Sequence, residues 1–150
     1  MTIENIRDTG RNSARTVDVR VLAEKIQKPS DTEAVVAANV ITAAESGTRF
    51  VMNVAAAKVS TLPAPAAGLE YWFYVGATEP TGTHTIVTAS SANIIVGNVS
   101  SPEDAAGSVA TVTDADTISL VASKAVHGDF VHVWSDGTNW YLDGQCKVQD

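Results

Sequence analysis

Three histidines are the side chains best suited to acid–base or metal chemistry near neutral pH: His84, His127 and His132. His127 and His132 are five residues apart. In an extended segment their side chains point to opposite faces and do not share a metal ion. His84 follows a predicted turn at the start of a strand. We therefore expect all three to be surface or strand-edge residues and not metal ligands.

Acidic residues form two further arrangements that can carry chemistry. Asp114 and Asp116 make a D-x-D pair, but Ca²⁺ requires six to eight oxygens and aspartate is also a common turn residue, so we expect a turn. A hydrolase site would need acids such as Asp129, Asp136 and Asp143 gathered in a pocket near a histidine. Nothing else in the sequence indicates that these three acids form such a site.

Other motifs of catalysis are missing from the sequence. It contains no G-x-S-x-G, no H-E-x-x-H, no phosphate-binding glycine loop and no dinucleotide fingerprint. The single cysteine, Cys146, cannot form an internal disulfide, and no basic cluster near it favours a reactive thiolate. We predict no catalytic residue, no metal site and no cofactor.

Aromatic side chains supply the remaining candidate binding groups. Residues 71–74 are consecutive aromatics, so two point to each face of a strand, and we expect that strand to be buried on both faces, either in the core or against another subunit. Trp134, Asn139 and Tyr141, beside Asp136, can also form a platform for stacking and hydrogen bonding a sugar. The candidates for a subunit interface or a glycan site are Tyr71, Trp72, Trp134, Asn139 and Tyr141.

The elements that must position these side chains are strands. The sequence has 44 Val, Ile and Thr residues and only 5 Leu, and β-branched residues favour sheet. Propensity alone would also allow a helix near residues 32–46, but we predict a strand over 34–41 followed by a turn over 43–47. About a dozen short strands predict an all-β fold, a compact sandwich or small barrel.

The last predicted hairpin tests this assignment. If Asp136 and Gly137 form a two-residue turn, Val133 faces Trp140 and Val131 faces Leu142 on one apolar side. The other side pairs Trp134 with Asn139 and His132 with Tyr141. The hairpin therefore presents one face to the core and one to solvent or a neighbouring subunit.

Charge divides the chain into two parts. Residues 1–30 carry six basic and four acidic side chains, whereas residues 31–150 carry four basic and thirteen acidic ones. We predict an extended N-terminal arm over 1–30 that orders on assembly and a single β-rich domain over 31–150. The acidic body argues against nucleic-acid binding. No apolar run is long enough for a membrane span or a signal peptide, so we expect synthesis in the cytoplasm.

Three segments together resemble small virion structural proteins of tailed bacteriophages, including capsid decoration (cement) and fibre-associated proteins. They are residues 41–53 (ITAAESGTRFVMN), 61–69 (TLPAPAAGL) and 135–141 (SDGTNWY). The resemblance covers about residues 40–144. It implies a homotrimeric β-rich protein without catalytic residues, located on the capsid surface of the virion and bound to the major capsid protein.

The resemblance also implies a function for the arm, because the N-terminal segment of such decoration proteins lies along the capsid. Residues 17–21 alternate valine with charged residues and suit an added strand, and the arginines suit acidic groups on the shell. The predicted capsid-binding residues are Arg7, Arg11, Arg15, Val17, Val19, Arg20 and Val21. Two alternatives stay open: a fibre or receptor-binding module for host-surface glycans, and a small cell-envelope hydrolase.

Overall fold

A computed structural model describes residues 31–101 and 108–147. The predicted capsid-binding arm lies outside these residues. Eleven strands are present in the described part of the chain, with one short 3-10 turn at Ala43–Glu45. The strands are β1 (Thr32–Ala34), β2 (Asn39–Val40), β3 (Arg49–Met52), β4 (Val59–Thr61), β5 (Glu70–Val75), β6 (His84–Val87), β7 (Ile95–Ser101), β8 (Ser108–Ala115), β9 (Thr117–Leu120), β10 (Phe130–Ser135) and β11 (Trp140–Gln145).

The strands form two mixed sheets that pack face to face, so the all-β prediction is confirmed and the architecture is a sandwich. The seven-stranded sheet has the order β1-β3-β5-β10-β11-β7-β8, and the four-stranded sheet has the order β2-β4-β6-β9. Parallel pairs join strands that are distant in sequence, such as β7 and β11. In the segments that the structure describes, no helix is long and apolar enough to cross a membrane.

Alternate residues of the strands build the core between the sheets. On β5, Tyr71 and Phe73 are buried, and Phe50 of β3 stacks on Phe73 with ring centroids 5.3 Å apart. Trp140 of β11 is also buried, with its ring 5.8 Å from that of Tyr71. Ile86 of β6 is among the residues that close this aromatic cluster from the four-stranded sheet. Burial of this apolar surface is the main stabilising contribution.

One expectation about an individual strand is wrong, and one is met only in part within the chain. The segment 34–41 is not one strand: β1 joins the larger sheet and β2 the smaller one, so the chain crosses between sheets at residues 35–38. Within the chain, strand β5 is buried on its inner face, whereas Trp72 and Tyr74 are half-buried and point outward, so burial of its outer face against another subunit stays a prediction. The second sheet covers only the inner face of β5.

The last hairpin has the predicted faces but a different register. Trp140 pairs with Ser135, Leu142 with Val133 and Tyr141 with Trp134, so each β11 residue lies two positions from its expected partner. The loop has four residues because the Asp136 carboxylate accepts hydrogen bonds from the N–H groups of Thr138 and Asn139. A shift of two residues keeps every side chain on its face, so the side chains predicted to face the core still do so.

Candidate functional site

The outer face of the larger sheet carries a continuous set of aromatic and charged side chains. Strand pairing aligns β5, β10 and β11 so that their outward residues form rows across the sheet. We call this set the aromatic face. It consists of Glu70, Trp72, Tyr74, Phe130, His132, Trp134, Tyr141 and Asp143.

Three pairs of rings stack across neighbouring strands on the aromatic face. Trp134 stacks on Tyr141 with centroids 4.4 Å apart and planes 16° apart, and Trp72 stacks on His132 at 4.3 Å and 12°. Tyr74 and Phe130 form the third pair at 5.7 Å. Cross-strand aromatic pairs of this kind stabilise a sheet by roughly 0.5–1.5 kcal/mol beyond the area they bury. Each stack also covers one face of both rings.

His132 lies at the centre of this face and contacts charged groups on both sides. Its Nδ1 atom is 3.1 Å from an oxygen of Asp143, and its Nε2 atom is 3.7 Å from an oxygen of Glu70. The Arg49 guanidinium lies 5.7 Å from the centroid of the Trp72 ring, within cation–π range. This row therefore combines a cation, two carboxylates and stacked rings on one surface.

The hairpin end of the aromatic face is held by side-chain hydrogen bonds and is partly exposed. Tyr141 donates a hydrogen bond from its hydroxyl to Asp136 at 3.0 Å, and Trp134 is 41% exposed. Backbone hydrogen bonds from Asn139 and Thr138 hold the pKa of the Asp136 carboxyl below its usual value. Donation to that carboxylate raises the pKa of the Tyr141 phenol. A partner would therefore meet an ordered surface.

The structure places four of the five predicted interface or glycan residues near one another. Trp72, Trp134 and Tyr141 lie on the aromatic face, and Asn139 ends the hairpin loop beside it. Tyr71 points into the core instead, and its hydroxyl donates to the Thr42 carbonyl oxygen at 3.0 Å. Burial, with the charge of Glu45, raises the pKa of Tyr71 to about 12.

Sequence reasoning missed the charged members of this surface. Arg49, Glu70 and Asp143 were not assigned to it, although the period-two pattern of β5 places Glu70 on the same side as Trp72. The same pattern on β11 places Asp143 on the side of Tyr141. Arg49 could not be found this way, because the position of β3 beside β5 depends on long-range pairing.

Of the histidines and acids considered for catalysis, His132 contacts Asp143 on the aromatic face, and the other two histidines lie elsewhere in the fold. His84 is fully buried, which corrects the expectation of a surface residue: its Nδ1 accepts from the Lys58 N–H at 3.0 Å and its Nε2–H donates to the Val54 carbonyl at 2.9 Å. The histidine thus joins β6 to the loop between β3 and β4. His127 is exposed, as expected.

The acids that a hydrolase would need are not gathered. Asp129 is buried and accepts hydrogen bonds from the N–H groups of Val126 and Lys147. Asp136 lies at the opposite end of β10, six strand residues or roughly 20 Å away. In residues 31–101 and 108–147, no three His, Cys, Asp or Glu side chains are close enough to hold a metal ion.

The D-x-D pair and the cysteine also have structural places. Asp114 lies within β8 and Asp116 separates β8 from β9, so the pair marks the crossing from one sheet to the other and not a hairpin turn. Asp114 has a positive φ of 54°. Cys146 is partly buried, and desolvation together with the charge of Asp129 raises the pKa of its thiol.

Comparison with known proteins adds no relative: no family model, no curated protein and no solved structure matches this chain.

Proposed function

We propose that this chain is a non-enzymatic phage capsid decoration protein that binds the outer face of the head shell as an oligomer and stabilises it. The observation that carries the proposal is the separation of charge between a basic N-terminal segment and an acidic β-sandwich. Residues 1–30 hold six of the ten basic side chains, and the remaining residues hold thirteen of the seventeen acids. The resemblance to virion structural proteins points in the same direction.

The position of β1 supports a role for the N-terminal segment in attachment. This strand directly follows residues 1–30, and within the described residues it is an edge strand of the larger sheet, paired only with β3. A chain that leaves from a sheet edge can continue to a neighbouring surface and add a strand there. The arginines of the segment would then pair with acidic groups of the major capsid protein.

Energetics favour an oligomer for this function. Ordering a segment costs roughly 1–2 kcal/mol per residue, so a single arm binds weakly. Linked arms act at a high effective concentration, which can raise avidity about 10²–10⁴-fold without new contacts. Since icosahedral shells have three-fold axes, we propose a homotrimer.

The copy number in purified particles tests the decoration proposal. Quantitative mass spectrometry against the major capsid protein is expected to give a ratio of one chain to one or to a few capsid subunits. A handful of copies per particle would contradict decoration and favour a fibre component.

Variants of the arm test the attachment mechanism in the full-length chain. Arg11→Ala with Arg15→Ala is expected to weaken binding to undecorated heads at least tenfold. The matched control, Lys25→Ala with Lys28→Ala, removes the same charge from the same segment and leaves the proposed contacts in place. Equal loss in both double variants would show that only net charge matters.

Glycan recognition is a second candidate, favoured by the exposure of Trp134 beside Tyr141, Asp136 and Asn139. Because Glu70 and Asp143 border this surface, the sugar would be neutral or basic. Titration with soluble polysaccharide from the host surface is expected to change tryptophan fluorescence, and Trp134→Ala is expected to abolish the change. A response that persists in the variant would exclude this site.

A further inference from the structure

The smaller sheet ends at β9 before it covers the whole inner side of the larger sheet. Among the described strands, β9 pairs only with β6, whereas β7 and β8 extend the larger sheet beyond β11. Val99 of β7 and Val112 of β8 pack against the core but are only partly buried. Within the described residues, no strand of the smaller sheet covers them.

A cavity of about 250 Å³ lies between β9 and these side chains. Val99 and Val112 form part of one wall, and residues 117–121 form the other. The side chains of Thr117 and Ser119 are exposed, whereas those between and after them point into the core. A wall that includes all five consecutive residues is therefore built by the backbone edge of β9.

The peptide groups at this edge are directed toward a further strand. The Thr88 N–H donates to the Asp116 carbonyl oxygen at 3.0 Å, which fixes the hydrogen-bonding phase of the β6–β9 ladder. In antiparallel pairs the peptide groups of alternate residues point toward and away from the partner. Those of Thr117 and Ser119 point away from β6, and an edge of this kind accepts another strand.

A segment of the N-terminal arm has the pattern that this position requires. Val17, Val19 and Val21 alternate with Asp18 and Arg20. In an extended conformation three apolar, β-branched side chains lie on one side and two charges on the other. The apolar side suits the cavity and the charged side suits solvent, the same division that β9 shows.

The charge of the chain favours contact between an arm and a body. Residues 1–30 carry six basic and four acidic side chains, a balance of +2, whereas residues 31–150 carry four basic and thirteen acidic ones, a balance of −9. Opposite net charges attract across an interface, whereas two acidic bodies repel.

The positions of arm and cavity favour an arm from a neighbouring copy. The arm precedes β1, at one edge of the larger sheet, and the cavity lies beside β8 at the other edge, six strand spacings or about 29 Å away. The ten residues between Val21 and Thr32 span at most about 40 Å when fully extended. That length leaves little for the path round the sandwich.

We propose that residues 17–21 of one copy pair with β9 of the next copy and fill this cavity as the fifth strand of its smaller sheet. Donor and acceptor are different surfaces, so the contact is head to tail and closes into a ring when the rotation between copies allows it. A ring of three matches the homotrimer. This inference deepens the oligomeric part of the proposed function and rests on it.

Disulfide trapping in the full-length chain tests the inference. Arg20→Cys in the arm and Ser119→Cys in β9 both lie on the outer side of the completed sheet, where facing Cβ atoms are about 4.5–5.5 Å apart, near the separation in a disulfide. Cys146→Ala removes the native thiol from every variant. Thr117→Cys in place of Ser119→Cys covers a slip of two residues. The matched control is Arg20→Cys with Asn98→Cys, an exposed position on the larger sheet.

Mild oxidation of the chain with both cysteines is expected to give covalent dimers and trimers and nothing larger on a non-reducing gel. Their yield is expected to exceed that of the control at least about tenfold, because the effective concentration within a ring is high. Equal yields for the control and both β9 positions would overturn docking at this edge. A disulfide within one chain, identified by proteolysis and mass spectrometry, would overturn exchange between copies, and products larger than trimers would overturn the ring of three.

A second measurement needs no added cysteine. Val19→Asn places an amide on the apolar side of the segment and is expected to shift the mass in sedimentation velocity from trimer toward monomer. Asp18→Asn places the same group on the charged side and is expected to leave the mass unchanged. Equal masses for the two variants would overturn the assignment of the valine side. None of these results alters the copy number in particles, which tests decoration independently.

Discussion

Among the glycines in the described residues, Gly97 is the one at which an added methyl group meets the closest backbone atom. It lies at a β-bulge in β7, where the pairing with β8 shifts between Ile95 and Gly97, and its φ is +153°. A Cβ atom at this position would lie 1.8 Å from the carbonyl oxygen of Leu142 in β11, whereas real Cβ contacts essentially never fall under 3.0 Å. The obstacle is backbone, so relief requires β7 to move away from β11 by more than 1 Å.

The cost of Gly97→Ala follows from that displacement. The β7–β11 ladder aligns six residue pairs, and β7 also carries β8 at the edge of the sheet. Loss of about four ladder hydrogen bonds at a net 1 kcal/mol each destabilises the fold by about 4 kcal/mol. This is a large part of the roughly 5–15 kcal/mol by which a domain is stable. We expect the variant to unfold at far lower urea or not to accumulate as folded protein.

Two other glycines provide the control. Gly47 and Gly128 have φ values of +91° and +97°, and a Cβ atom at either site meets nothing within 4 Å. Alanine at these sites adds only the backbone penalty of the left-handed region, about 1–2 kcal/mol. Urea unfolding followed by tryptophan fluorescence compares the three variants. A Gly97→Ala midpoint no lower than those of the controls would refute the steric argument.

Three further predictions concern buried or hydrogen-bonded polar groups. His84→Ala removes a buried ring with two backbone hydrogen bonds and is expected to cost about 3–5 kcal/mol in urea unfolding, against less than about 0.5 kcal/mol for exposed His127→Ala. Because the pKa of Asp136 is lowered in the fold, its stabilisation is present above the unfolded pKa of about 3.9 and is lost as pH falls through the folded pKa. Asp136→Ala should flatten the dependence of the urea midpoint on acid pH, and an unchanged slope would exclude the hydrogen-bonding explanation. The pKa of Tyr71 is raised to about 12, so the neutral phenol is favoured by the fold and stability is lost as pH rises from about 10 through 12. Tyr71→Phe should lose about 1 kcal/mol at neutral pH and show weaker alkaline unfolding, whereas identical alkaline curves would contradict this.

Local chemistry in the sequence was sufficient to predict the fold class and the faces of the last hairpin. β-Branched residues and the period-two alternation of residues 130–135 and 140–145 are properties of short segments, so they identify strands and their buried sides directly. The side chains of the hairpin were assigned to the correct faces although the predicted loop was two residues too short. The register error was two residues, and side-chain direction repeats every two residues. Trp134, Asn139 and Tyr141 lie near one another for the same reason, whereas Trp72 joins them through the pairing of β5 with β10.

Tertiary structure decided the features that depend on which strands become neighbours. Parallel pairs such as β3 with β5 and β7 with β11 join segments far apart in sequence, and no local pattern specifies them. Those pairings bury His84, leave one face of β5 open and bring Arg49 over Trp72. They also separate β1 from β2 and so create a small sheet whose outer face carries no charge. The physical reason is that burial and register are set by hydrogen bonding and packing between strands, whereas residue type specifies only what each strand prefers.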